Sequence, residues 1–314
     1  MRVIDYLEKS NKTLFSYEII PPKRGGRIES VFTIIEQLMP FDPPFIDLTS
    51  RSAEVSYDEL DNGMIKKTVK RKRPGTIGLS AAIKNRFNVE TVPHLLCHGF
   101  TREETEDALI ELNYLGIHNV FAVRGDFLRK PQQSRGRTHN RYAIDLVNQI
   151  NRMNEGKYLE ELFDAHPTNF SIGVGGYPEK HFEAPNLEVD IAYLKEKVDA
   201  GADYIVTQMH YDNNKYFAFH KACREAGITV PIIPGIKILN RKSHLVTIPR
   251  NFHVDIPREL VKMVTDCSDE DVPRQGIKWA LNQCQELMDF GVPCIHFYIM
   301  SSAKEATQVV AQLK

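Results

Sequence analysis

The chain has 314 residues, 42% hydrophobic and 26% charged, which leaves ample material for a large core and permits one domain or two. Lys+Arg 40 and Asp+Glu 41 nearly cancel to a formal net charge of -1, so no global field favours nucleic acid or an anionic membrane, and neither partner is expected. No stretch approaches the ~20 apolar residues that cross a bilayer, Met1-Arg2-Val3-Ile4-Asp5 carries no signal-peptide core, and the five cysteines (Cys97, Cys223, Cys267, Cys284, Cys294) include no CxxC pair. A disulfide framework and a zinc site are therefore not expected, and a cytoplasmic protein with reduced thiols is.

Phe15 to Ile20 reads as a strand ended by Pro21-Pro22, neither of which can donate to a ladder. Alternation places Ser16, Glu18 and Ile20 on one face, inside a barrel if Phe15, Tyr17 and Ile19 lie outside. Ile28, Val31, Phe32, Ile35 and Leu38 then repeat at helical spacing. Phe45 to Leu48 with Thr49-Ser50 predicts a second strand, and the charged stretch from Asp58 to Lys72 a helix with Lys66, Lys67, Lys70, Arg71, Lys72 and Arg73 on a solvated face.

Thr91 to Cys97 is a third strand, followed by a helix opened by a Thr101/Glu104 capping box and stopped by Gly116. Val120 to Val123 is the fourth, and it ends abruptly in Arg124-Gly125-Asp126. The polar, basic segment from Phe127 to Arg141 is too long for an ordinary strand-to-helix turn and is a candidate lid. Ala143, Leu146, Val147, Ile150 and Met153 line the next helix, Phe170 to Val174 forms the fifth strand, and Leu187, Ile191, Leu194 and Val198 face the core after it.

Tyr204 to Met209, Pro231 to Ile236 and Cys294 to Met300 are strands six, seven and eight. A helix runs to Gly227, a long stripe over Ile277, Ala280, Leu281, Cys284 and Leu287 stops at Gly291, and Ala303 to Leu313 closes the chain. The region from Leu239 to Pro273 is irregular in pattern. Alternation of this kind, with no block of strands alone, predicts an α/β fold, a (β/α)8 TIM barrel.

In such a barrel, chemistry gathers at the C-terminal tips of the strands. Those tips carry Glu18, Thr49, His94, Arg124, Asp126, Tyr177, His181, Gln208, Lys237 and His296 to Tyr298. No GxGxxG or GxxxxGK[ST] turn supports a Rossmann or P-loop nucleotide mode, no HExxH or compact His/Cys/Asp cluster suggests a metal, and no nucleophile elbow is present. Glu18 is a carboxyl inside an apolar strand, where burial penalises its charged form and suits it to donating a proton; an ion pair with a neighbouring strand is the structural alternative. His94 taken alone fits a satisfied core histidine. Gln208 suits either a heterocycle or the backbone, and Lys237 stands where Schiff-base lysines do.

Taken together and in order, Phe15-Ser16-Tyr17-Glu18-Ile19-Ile20-Pro21-Pro22-Lys23, Pro93-His94-Leu95, Val123-Arg124-Gly125-Asp126, Tyr177-Pro178-Glu179-Lys180-His181, Thr207-Gln208, Pro234-Gly235-Ile236 and His296-Phe297-Tyr298 resemble the methylenetetrahydrofolate reductase family. The resemblance runs from about Leu14 to Tyr298 and covers the catalytic barrel alone, so one domain over 1–314 without a C-terminal regulatory domain is expected. It implies non-covalent FAD across the strand tips, NADH or NADPH as hydride donor, and reduction of 5,10-methylenetetrahydrofolate to 5-methyltetrahydrofolate by a ping-pong course in one-carbon metabolism and methionine biosynthesis. A homo-oligomer is the expected assembly.

By matching position, the resemblance implies Glu18 as general acid, Asp126 between flavin and pterin, and Gln208 on the pterin. It implies FAD contacts at Thr49, His94, Arg124, Gly125, Asp126, Tyr142, Ala143, Tyr177, His181, Ala184, Asp190 and Lys197, with Arg124 and Lys197 apt for the pyrophosphate. His244 and Ser302 fall at the folate tail. The chain departs from the family at Ile299-Met300-Ser301-Ser302, where Thr-Leu-Asn-Arg is common, at Glu196, where Arg is frequent, and at Lys237 and His244, where Leu and Gln are expected. A flavin-free pterin-binding methyltransferase barrel, a Schiff-base aldolase using Lys237 and a non-catalytic barrel are the competing readings.

Overall fold

Buried strands alternate with helices throughout the computed structural model, which describes residues 1–51, 54–70, 73, 75–125 and 138–314, with the backbone alone at 54–56, 69 and 70. In chain order the elements are α1 (Val3–Lys9), β1 (Leu14–Ile19), α2 (Glu29–Leu38), β2 (Phe45–Leu48), β3 (Glu54–Glu59), β4 (Ile65–Lys70), α3 (Ile77–Phe87), β5 (Glu90–Leu96), α4 (Arg102–Tyr114), β6 (Asn119–Val123) and α5 (Ala143–Asn154). They continue with β7 (Ser171–Gly176), α6 (Leu187–Asp199), β8 (Tyr204–Met209), α7 (Asn213–Glu225), β9 (Ile232–Ile236), α8 (His244–Phe252), α9 (Arg258–Asp266), α10 (Val272–Phe290), β10 (Cys294–Met300) and α11 (Lys304–Leu313). Eight of the strands close a parallel barrel in the order β1-β10-β9-β8-β7-β6-β5-β2, which is the expected (β/α)8 architecture.

Period-two alternation divides each strand between two environments. Phe15, Tyr17 and Ile19 point outward into the large cluster shared with the helices, as the pattern of β1 required. Phe45, Val92, Phe121, Tyr204, Val206, Ile233 and Cys294 fill the interior together with Val3 and Leu7 of α1. That short helix, which periodicity did not predict, is held to the start of β6 by the Val3 amide donating to Asn119 Oδ1 at 2.7 Å. It plugs the N-terminal end of the barrel. Higher along the same strands the inward residues become polar: Glu18 on β1, Asp47 on β2, His94 on β5, Gln208 on β8 and His296 on β10. An apolar floor beneath a polar rim follows directly.

The α4 capping box forms as read, with the Glu104 amide donating to Thr101 Oγ1 at 3.0 Å and the Thr101 amide to Glu104 Oε2 at 2.8 Å. Gly291 stops α10 at φ +87°. The expected helix from Asp58 to Lys72 is instead an antiparallel hairpin of β3 and β4, in which Asp58 pairs with Lys66 and Tyr57 with Lys67. The physical reason is Asn62-Gly63: Gly63 takes φ +74°, and Asn62 Oδ1 accepts the Met64 amide at 3.1 Å, so the chain reverses where a helix would need to continue. The barrel's second helix is α3, later in the sequence. Of the basic patch, Arg71 and Lys72 lie outside the described residues, and Arg73 donates to the Pro21 carbonyl.

The candidate lid lies outside the described residues from 127 to 137; beyond it, the Arg102 amide donates to the Thr138 carbonyl at 3.0 Å. The region from Leu239 to Pro273 contains α8 and α9, whose Ile248, Leu260 and Val264 pack with Leu239 and Val272 in a separate cluster. Among the described residues no helix is long and apolar enough to cross a membrane.

Candidate active site

Four strands bring the centre of the rim together. Glu18 is 9% exposed at the top of β1, and its Oε1 accepts the Thr49 hydroxyl at 2.9 Å from the end of β2. Thr49 is fixed there because its amide and its hydroxyl also reach the Ile19 carbonyl, at 3.0 and 3.1 Å. On the other side, Glu18 Oε2 lies 3.7 Å from His94 Nε2 and 4.0 Å from His296 Nε2. One carboxyl thus stands among a hydroxyl and two imidazoles.

Burial pushes His296 down to about 4, with Glu18 opposing and His94 adding to the fall, so it stays neutral. Its Nδ1 pairs with Ser16 Oγ at 2.8 Å. Tyr298, opposite Glu18 in the β1–β10 register, donates its hydroxyl to the Thr207 carbonyl at 2.7 Å. Gly235 permits that crossing: a Cβ there would meet the Thr207 carbonyl and the Tyr298 ring. Gln208 follows Thr207 at the tip of β8, half-buried, and its Oε1 accepts the Met209 amide at 3.0 Å. Its carboxamide nitrogen can donate to a ligand's acceptor.

A second group gathers around the ends of β6 and β7. Arg124 Nη2 lies 2.6 Å from Glu183 Oε2, and Gly125 takes φ +89°, a conformation that favours glycine. Tyr177 and His181 stack edge to face at 4.7 Å. The His181 amide donates to Asp190 Oδ2 at 2.8 Å, and the Ala184 amide to the His181 carbonyl at 3.0 Å. Lys197, on α6 with Asp190, donates to the Gly175 carbonyl at 2.9 Å. Burial pushes its ammonium down to about 8, with Asp190 opposing. The exposed Tyr142 caps α5 and the half-buried Ala143 opens it, tied to the rim by Cys97 Sγ donating to the Tyr142 carbonyl at 3.3 Å. Asp126 lies outside the described residues.

A third group borders the first. Lys237 donates from the end of β9 to the Tyr298 carbonyl at 2.7 Å, and burial pushes it down to about 8. It shares a recess with Asn240, Ser302 and Glu305. His244, half-buried at the start of α8, accepts the Asn240 amide at 3.5 Å and is pushed by burial to about 4. Ser302 is exposed.

Sequence reasoning missed Asp47 and Glu183. Asp47 is 1% exposed, and its Oδ2 lies 3.3 Å from His94 Nε2. The argument that singled out Glu18, a carboxyl on the inward face of an apolar strand, applies equally to it. Glu183 had no such signal, since only the fold brings it to Arg124. Among the described residues no cluster of His, Cys, Asp and Glu forms a metal site.

The fold and site together define a parallel (β/α)8 barrel with a buried carboxyl–imidazole cluster at its C-terminal rim. A profile of the methylenetetrahydrofolate reductase family matches residues 2–314, and the chain belongs to that family. It is 31% identical over 332 residues to "Methylenetetrahydrofolate reductase (NADH) 1" of Arabidopsis thaliana, which covers 100% of this chain and 51% of the relative. It is 29% identical over 294 residues to the 5,10-methylenetetrahydrofolate reductase of Escherichia coli, covering 92% of this chain and 86% of that one. The chain spans about half the length of the plant relative. Among solved structures, an uncharacterized protein from Clostridium thermocellum that binds two copies of 5-methyl-5,6,7,8-tetrahydrofolic acid superposes with a TM-score of 0.60 at 15% identity, over 98% of this chain and 95% of that one, a likeness of fold.

Proposed function

We propose that this barrel, from residue 1 to 314, works as one unit that reduces 5,10-methylenetetrahydrofolate to 5-methyltetrahydrofolate, with NADH or NADPH as donor and FAD as cofactor. The observation that carries the reading is Glu18, buried at the rim and oriented by Thr49 at 2.9 Å, in a chain matched to the family over residues 2–314. From its inward face a proton can reach a ligand lying across the strand tips.

The donor set fits a flavin dinucleotide. Arg124 and Lys197 offer a guanidinium fork and an enclosed ammonium for the pyrophosphate, and Gly125 presents backbone without a side chain. Thr49, His94, Tyr142, Ala143, Tyr177, His181, Ala184 and Asp190 complete the cradle in this reading. Bound FAD supplies the hydride relay between the nicotinamide nucleotide and the folate in a ping-pong order. The chain's own work is to stack two planar ligands, exclude water and move one proton.

Glu18 delivers that proton to the folate nitrogen released as the five-membered ring opens to an iminium able to accept hydride. Gln208 holds the pterin, Asp126 hydrogen-bonds it, and Lys237, His244 and Ser302 border the folate tail. Purified protein is expected to carry, or to take up, a flavin absorption band that NADH or NADPH bleaches and methylenetetrahydrofolate restores. A protein that cannot be reconstituted with FAD would instead favour the pterin-binding methyltransferase. Lys237, pushed down to about 8, keeps the Schiff-base reading testable, by borohydride trapping of a carbonyl compound on that residue.

A further inference from the structure

Asp47 is poorly explained as packing. It is 1% exposed, lies beside Glu18 in the parallel register of β1 and β2, and touches His94 through Oδ2 alone, while Oδ1 has no hydrogen-bond partner among the described residues. A buried carboxylate kept for structure is satisfied at both oxygens, because an ionised, half-partnered one costs several kcal/mol. A proton shared with the neighbouring imidazole removes that cost. The directions agree: burial pushes Asp47 up against the pull of His94, while for His94 the downward push of burial is outweighed by Asp47 and Glu18, so it moves up.

The same nitrogen, His94 Nε2, faces both carboxyls, at 3.3 Å from Asp47 and 3.7 Å from Glu18. We propose that Asp47 and His94 store one proton between them and use it to recharge Glu18 after each turnover, with Asp47 as a positioning residue acting through His94. The proposal rests on the reading of Glu18 as the acid for folate. Thr49 donates to Glu18 from β2, neutral His296 and the Tyr298 phenol face it from β10, and Lys237 of β9 directs its ammonium at the Tyr298 carbonyl. Among the described residues the Asp47–His94 couple is the proton store in line with Glu18.

The need arises from stacking. While planar ligands cover the rim, water does not reach Glu18 from above, and a proton must come from the barrel side. Once Glu18 has given its proton to the folate nitrogen, the His94 Nε2–H bond breaks as the Glu18 Oε2–H bond forms. The couple is then one proton short, with Asp47 a carboxylate. A proton from water restores it when the product has left, so each turnover consumes one solvent proton.

Asp47→Asn keeps the shape and removes the store. In flavin-loaded, prereduced enzyme mixed once with methylenetetrahydrofolate, the first turnover does not depend on recharging, and its rate is expected within about twofold of wild type. Steady-state kcat is expected to fall about tenfold or more, increasingly so toward high pH, because recharging then waits for solvent. In cofactor-free protein, 15N NMR should show the His94 imidazole losing its proton at lower pH in Asp47→Asn than in wild type. Equal loss in both kinetic phases, an unchanged kcat, or an unmoved His94 titration overturns the proposal. Should Asp47→Asn not fold, Asp47→Ser takes its place with the same expectations. Absence of any folate turnover in the wild type defeats the assigned function instead, so the two failures are distinguishable.

Discussion

The role proposed for Glu18 as an acid fits neighbours that hold it rather than neutralise it: a hydroxyl at 2.9 Å, two imidazole nitrogens at 3.7 and 4.0 Å, and no lysine or arginine bridge among the described residues. Glu18→Gln keeps the hydrogen bond from Thr49 and removes the proton. The folate half-reaction is expected to fall roughly a hundred- to ten-thousand-fold, the usual worth of a positioned acid, while flavin reduction by the nicotinamide nucleotide persists. Stopped-flow measurement of the two half-reactions checks this, and equal loss in both would remove Glu18 from the role. At this scale the sequence is legible where a polar residue stands at the end of a long apolar strand, as Glu18, His94 and Gln208 do. Asp47 obeys the same rule within Phe45-Ile46-Asp47-Leu48, but four residues are too few to display an alternation, and the polar tip Thr49-Ser50 is the stronger signal. Glu183 could not be read at all, since its meaning comes from Arg124, in a distant segment.

Strands are what make the rim, and the residues below the rim set how closely they approach. Gly173 of β7 faces the interior, where a Cβ would come 2.5 Å from the Tyr204 ring and 2.6 Å from the Phe121 ring. Both rings are buried in the interior cluster and come from the strands on either side, β6 and β8, so neither is free to give way. Gly173→Ala is expected to cost about 3 kcal/mol of unfolding free energy by overpacking alone, measured by urea denaturation. A cost below about 1 kcal/mol would mean that the floor is looser than its packing implies. The barrel strands were legible because parallel strands, buried on both faces, read as apolar runs closed by polar tips. Two elements were not. The hairpin of β3 and β4 carries the charge density of a solvated helix, and its reversal signal is confined to Asn62-Gly63, whose glycine is left-handed. The plug α1 has seven residues with only Val3 and Leu7 buried, too few for a period to emerge.

Across the whole molecule, acid should act through histidines that folding keeps neutral. His210, stacked on Tyr216 at 5.4 Å, is pushed by burial to about 4, and His296 likewise. The unfolded chain binds a proton at each site below about 6.5, the folded chain only below about 4, so between those values the unfolded state holds more protons and stability rises with pH. Acidification through that window therefore costs stability, about 3 kcal/mol per histidine by pH 4. Asp47 and His94 oppose it, because upward shifts give stability that is present in acid and lost as pH rises through the folded value. A comparison of differences separates these contributions from packing. Between pH 7 and pH 4.5, His210→Gln is expected to lose about 2 kcal/mol less unfolding free energy than wild type, whatever its stability at pH 7. Urea titrations at the two pH values decide it, and an equal loss in both proteins would show that folding leaves the proton affinity of His210 unchanged, with its burial compensated by its partners.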